Sequence, residues 1–265
     1  MSKELFDARK KLSSVGTLVK QGKITNAIQC FYTGLQTMVS GSLLKSEREE
    51  FVHFIETAVD EVNYSKKIRD EFQISLSYKP GQESQLLEGV RSLLQSMEQT
   101  ALSEAENVFK ALEAQKKNRL TQLAGELVAN NVEQAKNLAE SMATDYFDDS
   151  GQFVDISEAF EHAGLNDDAI AYMEKARKLD PNAAYILNKL GILYRRGKNM
   201  EESEKMFTTA LSRTPDDPYI HFNKGRLYVD WQKWKQAESS ALAALSLLPE
   251  FEEAKKMAAY VAKRV

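Results

Sequence analysis

The chain has 265 residues, of which 43% are hydrophobic and 28% charged, so it is a globular protein of one large or two ordinary domains. Its formal net charge of −4 gives no basic excess, and we expect no nucleic-acid partner. Cys30 is the single cysteine, which excludes an intramolecular disulfide and a cysteine-based metal cluster.

The chain opens with no charged-then-apolar leader and contains no run of 18 apolar residues. We therefore expect a cytoplasmic protein with no membrane partner. Five prolines, twelve glycines and few runs of alternating β-branched residues predict an all-α fold.

Residues 1–45 are predicted to form a helical hairpin. Its two apolar stripes have helical spacing and are separated by a polar turn at Gln21-Gly22-Lys23. The first stripe contains Leu12, Val15, Gly16 and Val19, and the second contains Ala27, Ile28, Phe31, Leu35 and Met38. Cys30 lies beside the second stripe, and we expect it to be a packing thiol.

Residues 46–129 are predicted to form a long-helix arm or bundle. Ser46 and Glu49 match a capping box, which predicts the start of a helix. Apolar residues at helical spacing follow as far as Leu76, and Lys79-Pro80-Gly81 then interrupts the pattern. From Glu83 onward, apolar residues again recur at helical spacing. Two long helices joined by a short break should return antiparallel.

Two questions about this arm remain open in the sequence. Ser103 with Glu106 could cap a new helix, so residues 83–129 are either one helix or two. Residues 120–144 overlap the arm and could form one more hairpin around an Asn130-Asn131 turn.

Residues 145–265 contain an internal repeat. Pro181, Pro215 and Pro249 are evenly spaced along the chain, and small residues recur in step with them. Those small residues are Ala169, Ser203 and Ala237, and then Ala176, Ala210 and Ala244. Each copy reads as two short helices joined by a polar turn, and such a hairpin buries its apolar face only by stacking on its neighbours.

This pattern resembles the tetratricopeptide repeat (TPR) family, whose repeat is about 34 residues long. The best-matching copy contains Leu190-Gly191, Tyr194, Ser203, Phe207, Ala210 and Pro215. The resemblance implies an α-solenoid with repeats at about 150–181, 184–215 and 218–249. The predicted hairpin of residues 1–45 resembles a degenerate unit of the same family. Residues 251–264 should then form a capping helix, because the last repeat would otherwise expose its apolar face.

Chemistry is not indicated by the sequence. His53, His162 and His221 share no metal-ligand spacing with one another or with a cysteine or carboxylate, and no glycine-rich nucleotide loop is present. We expect no enzyme activity, no cofactor and no metal.

Binding is the stronger prediction, since the first helix of each repeat lines the concave side of a solenoid. Eight candidate peptide-binding residues follow from the repeat register. They are Tyr185, Asn188, Ile192 and Arg195 in the middle repeat, and Tyr219, Phe222, Asn223 and Arg226 in the last.

The corresponding positions of the first repeat include Glu158 and Glu161, so one end of the groove should be acidic and the other basic. Some family members clamp a partner's terminal carboxylate with basic and amide side chains at positions that match Val154, Glu158, Tyr219 and Asn223 here. That clamp is absent. A segment of mixed charge should suit the groove better.

The sequence thus predicts a non-enzymatic adaptor or scaffold that binds a protein or peptide partner in the repeat groove. One alternative is a homo-oligomeric scaffold that self-associates through residues 46–129. Another is an assembly or secretion chaperone for a specific client.

Overall fold

The computed structural model describes residues 3–41 and 43–265, and every regular element within these ranges is a helix. The predicted all-α fold class is confirmed. None of the described helices combines the length and the hydropathy that crossing a bilayer requires. Contacts within the chain define two compact units, residues 1–111 and 112–265.

The first unit is built around one core. Its helices are α1 (Lys3–Lys20), α2 (Ile24–Ser40), α3 (Lys45–Tyr64) and α4 (Lys66–Phe72), with the first part of α5 (Glu83–Val128). Phe31 of α2, Phe51 of α3 and Leu93 of α5 are fully buried in that core. The core therefore runs across residue 45, and the unit limit at residue 111 differs from the domain limits predicted at 45 and 129.

The predicted helix reaching Leu76 is wrong. Helix α3 ends at Tyr64, α4 ends at Phe72, and Gln73 takes a left-handed backbone conformation with φ of 51°. The Asn63 side chain then exchanges two hydrogen bonds of 2.8 Å with the backbone N–H and C=O of Leu76. These bonds hold an irregular segment that buries Leu76 outside any helix. Apolar spacing alone cannot distinguish such a segment from a continuing helix.

The cap predicted for α3 is displaced. Helix α3 begins at Lys45, and the Glu47 carboxylate accepts a hydrogen bond of 3.0 Å from the Leu44 N–H. Ser46 lies inside the first turn, so it is not the capping residue.

Helix α5 runs from Glu83 to Val128 as one element, and Ser103 lies within it. The alternative of two helices divided near residue 103 is therefore wrong. Residues 101–115 of this helix are all exposed to solvent.

The second unit repeats one hairpin in strict register. After the last part of α5 come α6 (Val132–Asp145), α7 (Ser150–His162), α8 (Asn166–Leu179), α9 (Ala184–Arg196), α10 (Met200–Arg213), α11 (Pro218–Asp230), α12 (Trp234–Leu247) and α13 (Glu252–Val261). The second helices of the hairpins, α6, α8, α10 and α12, begin at one constant interval, which is the interval between successive repeat prolines. The first helices α7, α9 and α11 have the same spacing, and α13 follows α11 at the same interval. Equivalent positions in successive hairpins are therefore separated by the same number of residues. Helix α13 takes the position of a further first helix.

One turn geometry closes every hairpin. The residue two before each second helix has a positive φ, and its N–H and the next N–H bond back to carbonyls three and five residues earlier, which is a Schellman motif. The residues with positive φ are Gly22 in the first unit and Asn130, Gly164, Lys198 and Gln232 in the second. The α1–α2 hairpin and the hairpin of α5 and α6 thus turn in the same way as the three clear repeats.

Small residues let the two helices of a repeat approach closely. The buried Ser157 and Ser203 hydroxyls each donate a hydrogen bond of 2.7 Å to a backbone carbonyl of the paired helix, at Ala169 and Gly191 respectively. A Cβ atom added at Gly191 would lie 2.6 Å from the Phe207 ring. Helix pairing within a repeat therefore depends on the absence of side-chain bulk at these positions.

Tyrosines connect each repeat to the next. The Tyr194 hydroxyl donates to the Glu174 carboxylate at 2.9 Å, and the Tyr228 hydroxyl donates to Glu204 at 2.5 Å. Burial, together with the hydrogen bond to Glu174, raises the pKa of Tyr194 to about 12. A buried tyrosine with a bonded hydroxyl supplies apolar area and satisfies its polar atom.

We expect Gly191→Ala to lower the free energy of unfolding by about 1–3 kcal/mol, because the Phe207 ring is fully buried and cannot move aside cheaply. Gly125→Ala is the matched control. Gly125 is an exposed residue within α5, with no atom within 4 Å of its added Cβ, so this change should stabilise by up to about 1 kcal/mol. Urea denaturation of both variants measures the difference, and equal effects would contradict the packing argument.

Candidate functional site

The first helices of the repeats, α7, α9 and α11, lie side by side and are joined by polar contacts between their side chains. Glu158 of α7 pairs with Lys189 of α9 at 2.7 Å, and Glu161 of α7 pairs with Arg196 of α9. The residues of these three helices that solvent reaches form a surface that we call the first-helix face.

Tyr185 and Tyr219 are the large side chains that stand out from this face. They occupy the same repeat position at the start of successive first helices, and are exposed by 53% and 57%. Exposure of two tyrosines at equivalent positions provides apolar area and two hydroxyl groups for a partner.

The two asparagines predicted for the groove bind each other. The side-chain amide of Asn223 donates to the Asn188 carbonyl oxygen at 3.1 Å, across α11 and α9. Ile192, also predicted for the groove, is half-buried and packs on the core of the repeats.

Arg195 is engaged within the fold. Its guanidinium pairs with the Asp230 carboxylate at 2.5 Å, and its side chain is only 10% exposed. Its Nε atom is buried without a hydrogen-bond partner among the described residues. Arg195 therefore links α9 to α11 and presents little charge at the surface.

Arg226 is an accessible cation on α11. It is exposed, lies 5.9 Å above the Phe222 ring, and forms no ion pair among the residues that the structure describes. Partial burial and the nearby Arg195 lower the pKa of Arg226. The positive potential at this end would be relieved by an anionic group of a partner.

An aromatic cluster at the same end was not anticipated. The Phe251 ring, which precedes α13, lies 5.1 Å from Tyr219 and 4.8 Å from Phe222. Phe222 is thereby half-buried against the terminal helix, whereas Tyr219 remains exposed. The register of the repeats indicates that Phe222 belongs to the face, but not that Phe251 covers part of its ring.

The first repeat supplies the acidic end. Glu158 and Glu161 are paired with basic residues of α9, but Asp155 has no ion-pair partner among the described side chains. Partial burial raises the pKa of Asp155, and the neighbouring carboxylates of Glu158, Asp149 and Glu113 raise it further. The repeat register could have identified Asp155, because it takes the repeat position that Lys189 and Asn223 take in the next two copies.

The histidines do not form a reactive group in the described structure. His221 contacts the Pro215 carbonyl oxygen at 2.8 Å through Nε2, and His53 and His162 are exposed. No group of three or more histidine, cysteine or carboxylate side chains in the described residues is placed to hold a metal ion.

Residues 162–227 match the model of the tetratricopeptide repeat family. Two curated relatives are similar to part of the chain: the protein O-mannosyl-transferases TMTC3 of Homo sapiens and Mus musculus. They are 38% and 37% identical over 87 residues, which is 33% of this chain. The chain spans only about 10% of the length of these relatives.

Solved structures with a similar repeat region include the first TPR of Spaghetti (RPAP3) bound to the HSP90 peptide SRMEEVD, with a TM-score of 0.42, 18% identity, and coverage of 43% of this chain and 91% of that one. MamA from Desulfovibrio magneticus RS-1 matches with a TM-score of 0.48 and 17% identity, over 56% of this chain and 84% of its own. The TPR domain of Arabidopsis OM64 matches with a TM-score of 0.42 and 17% identity, over 44% and 96%.

We expect Asp155→Asn to raise the free energy of unfolding at neutral pH. A carboxyl whose pKa is raised in the folded state costs stability as the pH rises through that pKa, and the amide removes this cost. The gain should shrink below roughly pH 4, where the carboxyl is protonated in the folded and the unfolded chain. Urea denaturation across this pH range measures it.

Asp167→Asn is the control for this change. Asp167 is exposed in the first turn of α8, where a negative charge favours the helix, so its loss should give no gain. Equal effects of the two substitutions would contradict the proposed environment of Asp155.

Proposed function

We propose that this chain, in which residues 162–227 match the tetratricopeptide repeat family, is a non-enzymatic adaptor that binds a protein or peptide partner along the first-helix face. The observation that carries the proposal is the exposure of Tyr185 and Tyr219 on adjacent first helices. Tyrosine side chains contribute much of the binding energy at many protein interfaces, because they bury a large area for few rotatable bonds.

The polarity of the face supports a partner segment that lies along it. Asp155 on α7 and Arg226 on α11 form no ion pair within the described part of the chain, and the tyrosines lie at the start of α9 and α11. A segment with a basic side chain at one end and an acidic one at the other would complement these charges. Opposite charges placed in this way fix the direction in which a segment binds.

The eight residues predicted from the sequence contribute unequally to this proposal. Tyr185, Tyr219 and Arg226 are the direct contacts, since solvent reaches them. Asn188, Asn223 and Arg195 instead hold α9 and α11 together, so they shape the surface. Cytoplasmic location and absence of catalysis are part of the proposal.

A second candidate function is self-association through α5. Leu102, Val108 and Phe109 are exposed on this helix, and Phe109 is exposed by 63%. Leu102 and Phe109 are one heptad apart, which is the spacing that two paired helices share in a coiled coil. The occupant of this stripe would be a second copy of the chain, making the protein an oligomeric scaffold.

The partner face can be mapped with a photo-crosslinking phenylalanine derivative placed at Tyr219 in cells. We expect a specific adduct with the partner, and no such adduct when the same group replaces Lys205 on α10, a second helix. Mass spectrometry of the adduct identifies the partner segment. Adducts of the same protein from both positions would contradict the face as the site.

With that segment as a synthetic peptide, we expect Arg226→Glu to weaken binding at least about tenfold, which corresponds to about 1.4 kcal/mol. The cause is repulsion of the acidic part of the peptide. Isothermal titration calorimetry measures the change, and Lys205→Glu serves as the charge-matched control. Unchanged affinity in the Arg226 variant would argue against the polarity of the face.

For the second candidate, light scattering should give a mass above the 30.0 kDa of one chain, and Phe109→Glu should restore the monomer mass. A charge in a paired apolar stripe would be buried without a partner, which disfavours association. Val128→Glu, an exposed position in the last turn of α5, should leave the mass unchanged. A monomeric wild-type chain would refute this function.

A further inference from the structure

A cleft of about 290 Å³ lies in the second unit between the last part of α5 and the start of α7. Glu113, Lys116 and Lys117 line it from α5, and Gln152 and Asp155 line it from α7. Since α5 and α7 are successive first helices, this α5–α7 cleft continues the first-helix face beyond the first clear repeat. Its volume is at the lower end of ligand sites and suits one side chain.

Gln152 breaks the apolar pattern of the repeats at this cleft. The residues at the same position in the next two repeats are Ile186 and Ile220, and both are buried core residues. Gln152 is just as buried, with 3% exposure, and its side-chain amide nitrogen has no hydrogen-bond partner among the described residues. A buried unpaired donor costs free energy that a ligand oxygen entering the cleft would recover.

One of the two lysines that line the cleft, Lys116, is already paired with carboxylates. The Lys116 ammonium group contacts the Asp149 carboxylate at 2.6 Å and the Glu113 carboxylate at 3.2 Å. Asp149 also caps α7 by accepting a hydrogen bond of 3.1 Å from the Gln152 N–H. Lys116 is therefore held by two carboxylates.

Asp155 forms no ion pair with any side chain that the structure describes. It lines the cleft from α7, as Gln152 does, and the carboxylates of Glu158, Asp149 and Glu113 and the ammonium group of Lys116 act on it electrostatically. Lys117 also lines the cleft but forms no ion pair among the residues that the structure describes. Burial raises the pKa of Asp155 and the neighbouring carboxylates raise it further, whereas the hydrogen bond to Asp149 raises the pKa of Lys116.

We infer that the α5–α7 cleft is a subsite for a lysine or arginine side chain of a bound protein segment. The Asp155 carboxylate is its counter-ion, and the Gln152 amide donates a hydrogen bond to a backbone carbonyl oxygen of the segment. A cation in the cleft pairs the carboxylate that the fold leaves unpaired, and a backbone oxygen satisfies the unpaired amide.

This inference rests on the proposed function, because the subsite would receive one residue of a segment that continues along the first-helix face. It extends that function by fixing the chemistry of one side chain of the partner. The subsite itself can be tested with a probe too short to reach Tyr219 or Arg226.

The probe is acetyl-Gly-Lys-Gly-amide, titrated into the ¹⁵N-labelled full chain and followed by NMR. We expect saturating shifts of the Gly151, Gln152 and Asp155 amide signals at millimolar peptide. The norleucine and glutamate analogues of the peptide should not produce them. Equal shifts with either analogue would overturn the inference.

Asp155→Asn should weaken the lysine peptide at least about fivefold, because it removes the counter-ion. Asp167→Asn, the exposed control on α8, should leave its affinity unchanged. Since Asp155→Asn is expected to stabilise the fold, weaker binding by a more stable protein separates loss of a contact from loss of structure. An affinity within about twofold of wild type would refute the subsite.

Arg226→Glu distinguishes this inference from the proposed function. It should leave the tripeptide affinity unchanged while weakening the longer partner segment. Loss of the tripeptide response in the Asp155 variant alone supports the subsite. Dependence of the partner on Arg226, together with a tripeptide insensitive to Asp155, would refute the subsite and leave the adaptor function standing.

Discussion

The close approach of the two helices within each repeat is the contact on which the rest of the second unit depends. At Gly191 the Phe207 ring occupies the space that a side chain would fill, and Ser157 and Ser203 bond the backbone of the paired helix directly. Because the helices are this close, each hairpin presents the same outer surfaces to its neighbours. Because these surfaces are the same from one hairpin to the next, the hairpins stack at a constant interval along the sequence.

The regular stack has a consequence for binding. It places the first helices next to each other, so residues about one repeat apart become neighbours, as Asn188 and Asn223 or Arg195 and Asp230 do. Many polar side chains of the first-helix face are therefore paired with one another and are not free to bind a partner. Asp155 at one end and Arg226 at the other form no ion pair among the described residues, and they carry the charge pattern that a partner meets.

The first unit shows the same local turn without the same repeat. Gly22 closes the α1–α2 hairpin with the backbone bonds used at Asn130 and Lys198, yet no proline ends its second helix. The Schellman turn is a property of the backbone and needs glycine at only some of these positions. Beyond α2 the unit departs from hairpins altogether, since side-chain bonds from Asn63 fix an irregular segment at Leu76.

The sequence by itself determined the helical fold, the repeat register and the positions of Tyr185 and Tyr219, because each follows from local spacing that recurs along the chain. It did not determine the end of α3, the single span of α5, or which polar residues remain free. The sequence predicts both Arg195 and Arg226 as groove residues. Only the folded chain brings Asp230 to Arg195 and leaves Arg226 exposed. Likewise, the sequence shows only that Gln152 is a polar residue at a repeat position that is otherwise apolar. The packing of α7 against α5 decides that its side-chain amide is buried beside a cleft. Ion pairing and desolvation depend on distances between residues far apart in the chain, and those distances exist only in the tertiary structure.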